Sequence, residues 1–116
     1  MITLSTSGSN SLAPTLRVPT RFALGFMKSM DNRKRSIGAK VFGPDCDSVI
    51  MSSAAFGHVG AGGSLGFADP AAGLSFGYTM NQMGPGILMN GRGQALVDAA
   101  YQSLGYKNKD GGVWVK

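Results

Sequence analysis

The strongest constraint on this chain's fold is a stretch of alternation interrupted once by a turn. Ser64-Leu65-Gly66-Phe67-Ala68 alternates small and large residues, with Leu65 and Phe67 on one face. Leu74-Ser75-Phe76-Gly77-Tyr78-Thr79-Met80-Asn81 alternates again, with large residues at 74, 76, 78 and 80. A period of two is the signature of a strand with one covered face. Between the two lies Asp69-Pro70-Ala71-Ala72-Gly73, where Pro presets the turn's φ and Gly supplies a position of positive φ. With the preceding extended segment from Val49 to Gly60, residues 56–81 are expected to form an antiparallel meander.

A helix is expected next. Asn90 is a suitable N-cap for a helix from Gly91 or Arg92 to Leu104, and Gly105 is a natural stop. Leu96, Ala100 and Leu104 fall four apart, with Val97 and Tyr101 beside them, and form the expected apolar stripe. Gln94, Asp98 and Gln102 lie elsewhere on the wheel. The fold class is therefore α+β, an antiparallel meander with a C-terminal helix. Residues 1–20, rich in Ser and Thr and holding Pro14 and Pro19, read as an irregular or extended N-terminal segment. Arg21 to Met27 could be a short strand, and 28–48 read as surface loop. The main body is 21–105, and 106–116 read as a polar, Gly-rich tail that carries the only tryptophan, Trp114.

Composition narrows the function classes. The chain has 116 residues, enough for one domain, with 43% hydrophobic and 15% charged residues, a globular rather than a disordered balance. Its 18 glycines have no three-residue period, which excludes collagen. One Cys excludes an internal disulfide, and one His makes a protein-only zinc site improbable. Cys46 lies between Asp45 and Asp47, whose charges disfavour a thiolate. That aspartate pair, lacking a third ligand nearby, reads as solvated loop. No metal and no cofactor are expected. Gly60-x-Gly62 is followed by Leu65 where a dinucleotide fingerprint needs glycine, and no Gly-Lys-Ser/Thr follows.

The net charge of +5 is concentrated only in Arg33-Lys34-Arg35, a run without aromatic neighbours that reads as a solvated loop. Nucleic acid is a distant alternative partner. No apolar run reaches the ~18 residues of a membrane span, and no secretory leader is visible. The expected location is cytoplasmic, with a mitochondrial transit segment as the alternative on the Ser-rich, acid-free N-terminus. The seven methionines read as core packing.

One block carries chemistry. Phe56-Gly57-His58-Val59-Gly60-Ala61-Gly62-Gly63-Ser64-Leu65-Gly66-Phe67-Ala68-Asp69-Pro70, followed by Gly73-Leu74-Ser75-Phe76-Gly77-Tyr78 and Met80-Asn81, resembles the C-terminal part of the serine β-lactamase-related family. That family comprises class C β-lactamases, D-alanyl-D-alanine carboxypeptidases and β-lactamase-fold esterases. In it a strand bears a Lys-Thr-Gly triplet, replaced in the esterase-like branch by His-x-Gly, and two antiparallel strands and a helix follow. The triplet position here is His58-Val59-Gly60, and the resemblance covers roughly residues 20–105.

The resemblance implies a partial β-lactamase/transpeptidase-like fold and a parent activity of ester or amide hydrolysis through an acyl-serine. It implies that His58 points into a cleft and orients substrate, and that Gly60 permits close substrate approach. It also implies that the Ala61 N–H is an oxyanion donor, a role that backbone amides fill without reorganisation. Beside that stands the plainer reading of His58 as a strand histidine with satisfied hydrogen bonds.

The departure is equally plain. No serine is followed three residues later by lysine; Ser29 precedes Asn32 and Ser36 precedes Ala39. Tyr106-Lys107-Asn108 lies downstream of the helix, where the family's Tyr-x-Asn lies upstream of the triplet. A serine without an adjacent base is a weak nucleophile. The chain alone is therefore expected to be inactive. The competing reading is a non-catalytic module that binds a protein partner along a sheet edge.

Overall fold

The computed structural model of the chain describes residues 9–12, 18–33, 36–37, 40–41, 46–109 and 112–116. The N-terminal elements are β1 (Ser9–Leu12), β2 (Pro19–Ala23) and β3 (Phe26–Met27), followed by the short strands β4 (Ser36–Ile37), β5 (Lys40–Val41) and β6 (Cys46–Ser48). Next come β7 (Phe56–Val59), β8 (Leu65–Asp69), β9 (Leu74–Tyr78) and β10 (Met89–Asn90). Helix α1 (Gly91–Ser103) and a terminal pair, β11 (Lys107–Lys109) and β12 (Val113–Val115), complete the chain. The architecture is α+β: a six-stranded antiparallel sheet in the order β1-β2-β3-β7-β8-β9, with the helix packed on one face.

The expected meander is β7, β8 and β9, in register from Phe56↔Ala68 to Val59↔Leu65 and from Leu65↔Tyr78 to Asp69↔Leu74. Its turn is built as the sequence implies. Gly73 has φ +62, and the Asp69 carboxylate accepts from the N–H groups of Ala71 and Ala72 at 3.0 and 3.2 Å. The sheet, however, extends three strands beyond the meander. Its hidden hinge is the tight turn Leu24-Gly25, with φ of +50 and +82. Two consecutive positive φ values characterise the hairpin turn usually signalled by Asn-Gly. Leucine in the first position conceals it from a reading of residue types.

Three segments differ from the sequence-based expectation. The N-terminal stretch, expected to be irregular or extended through residue 20, supplies β1 and the start of β2 as paired sheet strands, from Ser9↔Phe22 to Leu12↔Pro19. In the supposed surface loop 28–48, Lys28, Ser29, Met30 and Asn32 are buried. Met30 and Val49 exchange backbone hydrogen bonds, and the Ser29 hydroxyl donates to the carbonyls of Val49 and Gly112 and accepts from the Met51 N–H. Polar side chains here complete buried backbone pairing, so polarity misleads as a sign of exposure. Of the basic run, Arg33 makes a two-point contact with Asp31, while Lys34 and Arg35 lie outside the described residues. Asp45 lies outside them as well.

The supposed polar tail is the third. It forms the β11–β12 hairpin and buries Trp114, whose ring stacks on Tyr101 at 5.8 Å and whose N–H donates to Asp98. Helix α1 starts where expected, capped by the Asn90 side chain accepting from the Gly93 N–H. Its buried seam, however, is Gly93, Val97 and Tyr101, while Leu96 and Leu104 are exposed. Gln94 and Asp98 flank that seam because they have partners inside. Gln94 pairs with both backbone groups of Ile50, and Asp98 accepts from Gln94 and Trp114.

The core joins Val97 and Tyr101 of the helix to Val59, Leu65 and Phe67 of the sheet, and to Val49, Ile50 and Met51 of the connecting segment. Met27, Met30, Met51 and Met89 are buried as core residues, whereas Met83 is exposed. Among the described residues no helix is long and apolar enough to cross a membrane.

Candidate functional site

The outer face of the sheet carries the residues singled out by sequence. Alternation along β7 turns Gly57 and Val59 inward and leaves His58 exposed. Register then places His58 opposite Gly66, and Gly66 opposite Gly77. A Cβ at Gly66 or Gly77 would meet nothing within 4 Å. The row His58–Gly66–Gly77 is thus an open trough across three strands, bordered by the row Phe56–Ala68–Ser75. Phe26 packs edge-on against Phe56 at 5.3 Å at its β3 side.

The backbone at this end of β7 is only partly engaged. Strand β3 pairs with β7 at one register position, Met27↔Gly57, and does not continue along His58 and Val59. Gly60 donates to Ser64 O and accepts from the Gly63 N–H, which closes the turn into β8. Ala61 is exposed, and its N–H has no acceptor among the described residues. The His58 ring lies with Nδ1 2.7 Å from Val59 O and its centroid 6.0 Å from that of Phe22. His58, Gly60 and Ala61 therefore share one exposed strand end. Glycine at 60 has a local cause too: the space a Cβ would take is occupied by the Ser64 hydroxyl.

A second cluster, on the covered face, is one that sequence reasoning missed. Asp69 is fully buried at the end of β8. Its Oδ2 accepts from the Ser52 hydroxyl at 2.5 Å and from the Tyr101 hydroxyl at 2.8 Å, while Oδ1 holds the turn. Tyr101 in turn accepts from the Ser52 N–H, and the Ser52 hydroxyl accepts from the Ala55 N–H. Burial pushes the Tyr101 phenol well above its ordinary value; the Ser52 N–H opposes this and the bond to Asp69 reinforces it.

Lys28 is 1% exposed, and its Nζ makes no hydrogen bond among the described residues. Burial lowers its pKa, Arg21 lowers it further, and the Asp69 charge opposes both. The side-chain oxygens of Ser52, Asp69 and Tyr101 are all bonded to one another or to backbone N–H groups, so this cluster ties the helix to the sheet. Its only sequence signal is Asp69, whose turn role accounts for one oxygen; the other oxygen's partners are remote in the chain.

Among the described residues no three His, Cys, Asp or Glu side chains gather as a metal site. The sheet places no lysine beside a serine in the Ser-x-x-Lys spacing, which the sequence lacks altogether. Tyr106 is buried against Tyr101 at 5.3 Å, on the covered side of the molecule and away from the trough. No family model, no curated protein and no solved structure matches the chain.

Proposed function

We propose that the His58–Gly66–Gly77 trough and the Ala61 amide are the acyl-recognition part of a β-lactamase-like serine hydrolase site. The observation that carries this reading is the N–H of exposed Ala61, which has no acceptor among the described residues and lies one residue past the His-x-Gly triplet, where β3 no longer pairs with β7. An unengaged backbone donor at a fixed position is what a carbonyl or carboxylate oxygen requires, because it needs no reorganisation to bind. His58, three residues earlier in the chain and exposed, offers an imidazole able to hydrogen-bond a ligand. The glycine row leaves room for an acyl chain to lie across β8 and β9. The resemblance to the family supplies the reaction class, hydrolysis of an ester or amide through an acyl-serine.

The serine and its base are absent from these 116 residues, so on this reading the chain binds the acyl group and does not cleave it. The test is a nuclear magnetic resonance titration with D-alanyl-D-alanine. The His58 ring and Ala61 amide signals should move together, with affinity in the millimolar range expected of a single small contact set. His58→Ala should abolish the response at an unchanged melting temperature. Intact mass after a serine-directed fluorophosphonate should show no adduct. Silent His58 and Ala61 signals would end the proposal, and a melting temperature lowered by His58→Ala would assign the residue to the fold.

A further inference from the structure

Among the described residues β9 is one outer edge of the six-stranded sheet, paired on one side only, by β8. Natural sheets guard such edges with lysines, prolines, bulges or very short strands. β9 has none of these: its five residues, Leu-Ser-Phe-Gly-Tyr, pair with β8 without a register shift. Leu74, Phe76 and Tyr78 are only half-buried although Leu74 and Phe76 pack on the core.

We propose that β9 is a self-association edge, whose partner is a second copy of this chain added antiparallel about a two-fold axis through Phe76. Three observations select a second copy over another occupant. The first is local symmetry. Pairing centred on Phe76 sets Phe76 against Phe76, Leu74 against Tyr78 and Ser75 against Gly77, so large residues meet large and small meet small. A two-fold interface requires such self-complementarity.

The second is charge. The chain carries +5 overall, which opposes association of identical copies, yet no charged side chain occurs from Pro70 to Gly91. β9 lies inside that uncharged stretch, so two copies meeting along it bring no like-charged side chains of the edge strand together. The third is an aromatic column that runs to this edge. Trp114 stacks on Tyr101 at 5.8 Å, Tyr101 on Phe67 at 6.1 Å and Phe67 on Phe76 at 5.3 Å. It stops at the half-buried Phe76, and the two-fold places a second Phe76 where the column ends.

A five-residue edge forms a small interface, so the dimer is reversible with a dissociation constant in the micromolar range. This inference is independent of the acyl-recognition reading, and its readout, mass in solution, is unaffected by whether the trough binds ligand. Sedimentation equilibrium of the full chain should give twice the 12.0 kDa chain mass at high concentration, falling to the single-chain mass on dilution. The double variant S75K/G77K sets lysines opposite each other across the two-fold. Ser75 and Gly77 are exposed and Gly77 has open space beside it, so this variant keeps its fold. It should remain at the single-chain mass with an unchanged circular dichroism spectrum. N10K, on the opposite edge strand β1, should leave the dimer intact. A wild-type chain that stays monomeric at millimolar concentration would overturn the inference, as would a dimer indifferent to S75K/G77K or one abolished by N10K.

Discussion

At Lys28 a cation is held in the core with no hydrogen bond to its Nζ among the described residues, an arrangement proteins seldom keep without compensation. Its only described electrostatic support is Asp69, whose two oxygens already accept four hydrogen bonds. The direction of the shift fixes the sign of the pH dependence. A lysine whose folded pKa is lowered binds its proton less well in the native state than in the unfolded chain. Stability therefore rises with pH between that lowered value and the model-peptide value of 10.5. Tyr101, raised from 10.0, acts oppositely and costs stability once the unfolded phenol ionises. Lys28→Met isolates the first effect. It should raise the melting temperature at neutral pH and remove the wild-type gain as pH approaches 10. A lower melting temperature for Lys28→Met at pH 7 would show that the ammonium has a partner worth more than its burial costs. Nothing at position 28 foretold this, since a lysine within a basic, Gly-bearing stretch reads as surface.

At the scale of elements, the β8–β9 hairpin and helix α1 were legible because their signals are local: alternation, a Pro-to-Gly turn, an Asn cap and a terminal glycine. Over β2 and β3 the sequence offers a single short strand from Arg21 to Met27 and conceals the turn that divides it, because that turn uses leucine in a left-handed conformation. Leu24 at φ +50 has a Cβ close to its following carbonyl, a strain of roughly 1 kcal/mol that asparagine largely avoids. Leu24 is also 76% exposed, so no packing is lost on replacing it. Leu24→Asn should therefore raise stability by about 1 kcal/mol in a urea titration, with an unchanged slope. An unchanged or lower midpoint would mean that Leu24 is fixed by contacts its exposure does not suggest. The helix shows the converse limit. Its start and stop followed from single residues, but its buried seam is rotated from the Leu96–Leu104 stripe onto Gly93, Val97 and Tyr101. Hydrophobicity cannot place that seam when tyrosine, with a hydroxyl to satisfy, is the residue that goes deepest.

For the molecule as a whole, the C-terminal hairpin decides whether sheet and helix are one cooperative unit. Trp114 donates to Asp98, stacks on Tyr101 and receives the chain at Ser52 and Met51, so it touches the helix and the segment leading into β7. Its fluorescence should be that of a buried indole and should change in the same transition, at the same midpoint, as the far-ultraviolet circular dichroism. A separate, earlier fluorescence transition would make the hairpin an appendage. The candidate site divides along the same line. His58, Gly60 and Ala61 were singled out only through the resemblance of the block around them to a family, and the structure puts His58 on the exposed face of β7 by alternation. The trough was not singled out, since it needs His58, Gly66 and Gly77 in register across three strands. The buried Asp69 network was still less accessible, with partners at Ser52 and Tyr101 on separate elements. By itself the sequence determined the α+β class, the meander and its turn, and the limits of the helix, all consequences of forces acting over a few residues. Only the tertiary structure decided that the first strands join the same sheet, that the tail closes the core, and that a lysine and an aspartate lie inside. Those outcomes depend on burial and on hydrogen bonds between residues distant in sequence, whose free energies exist only once the chain has closed on itself.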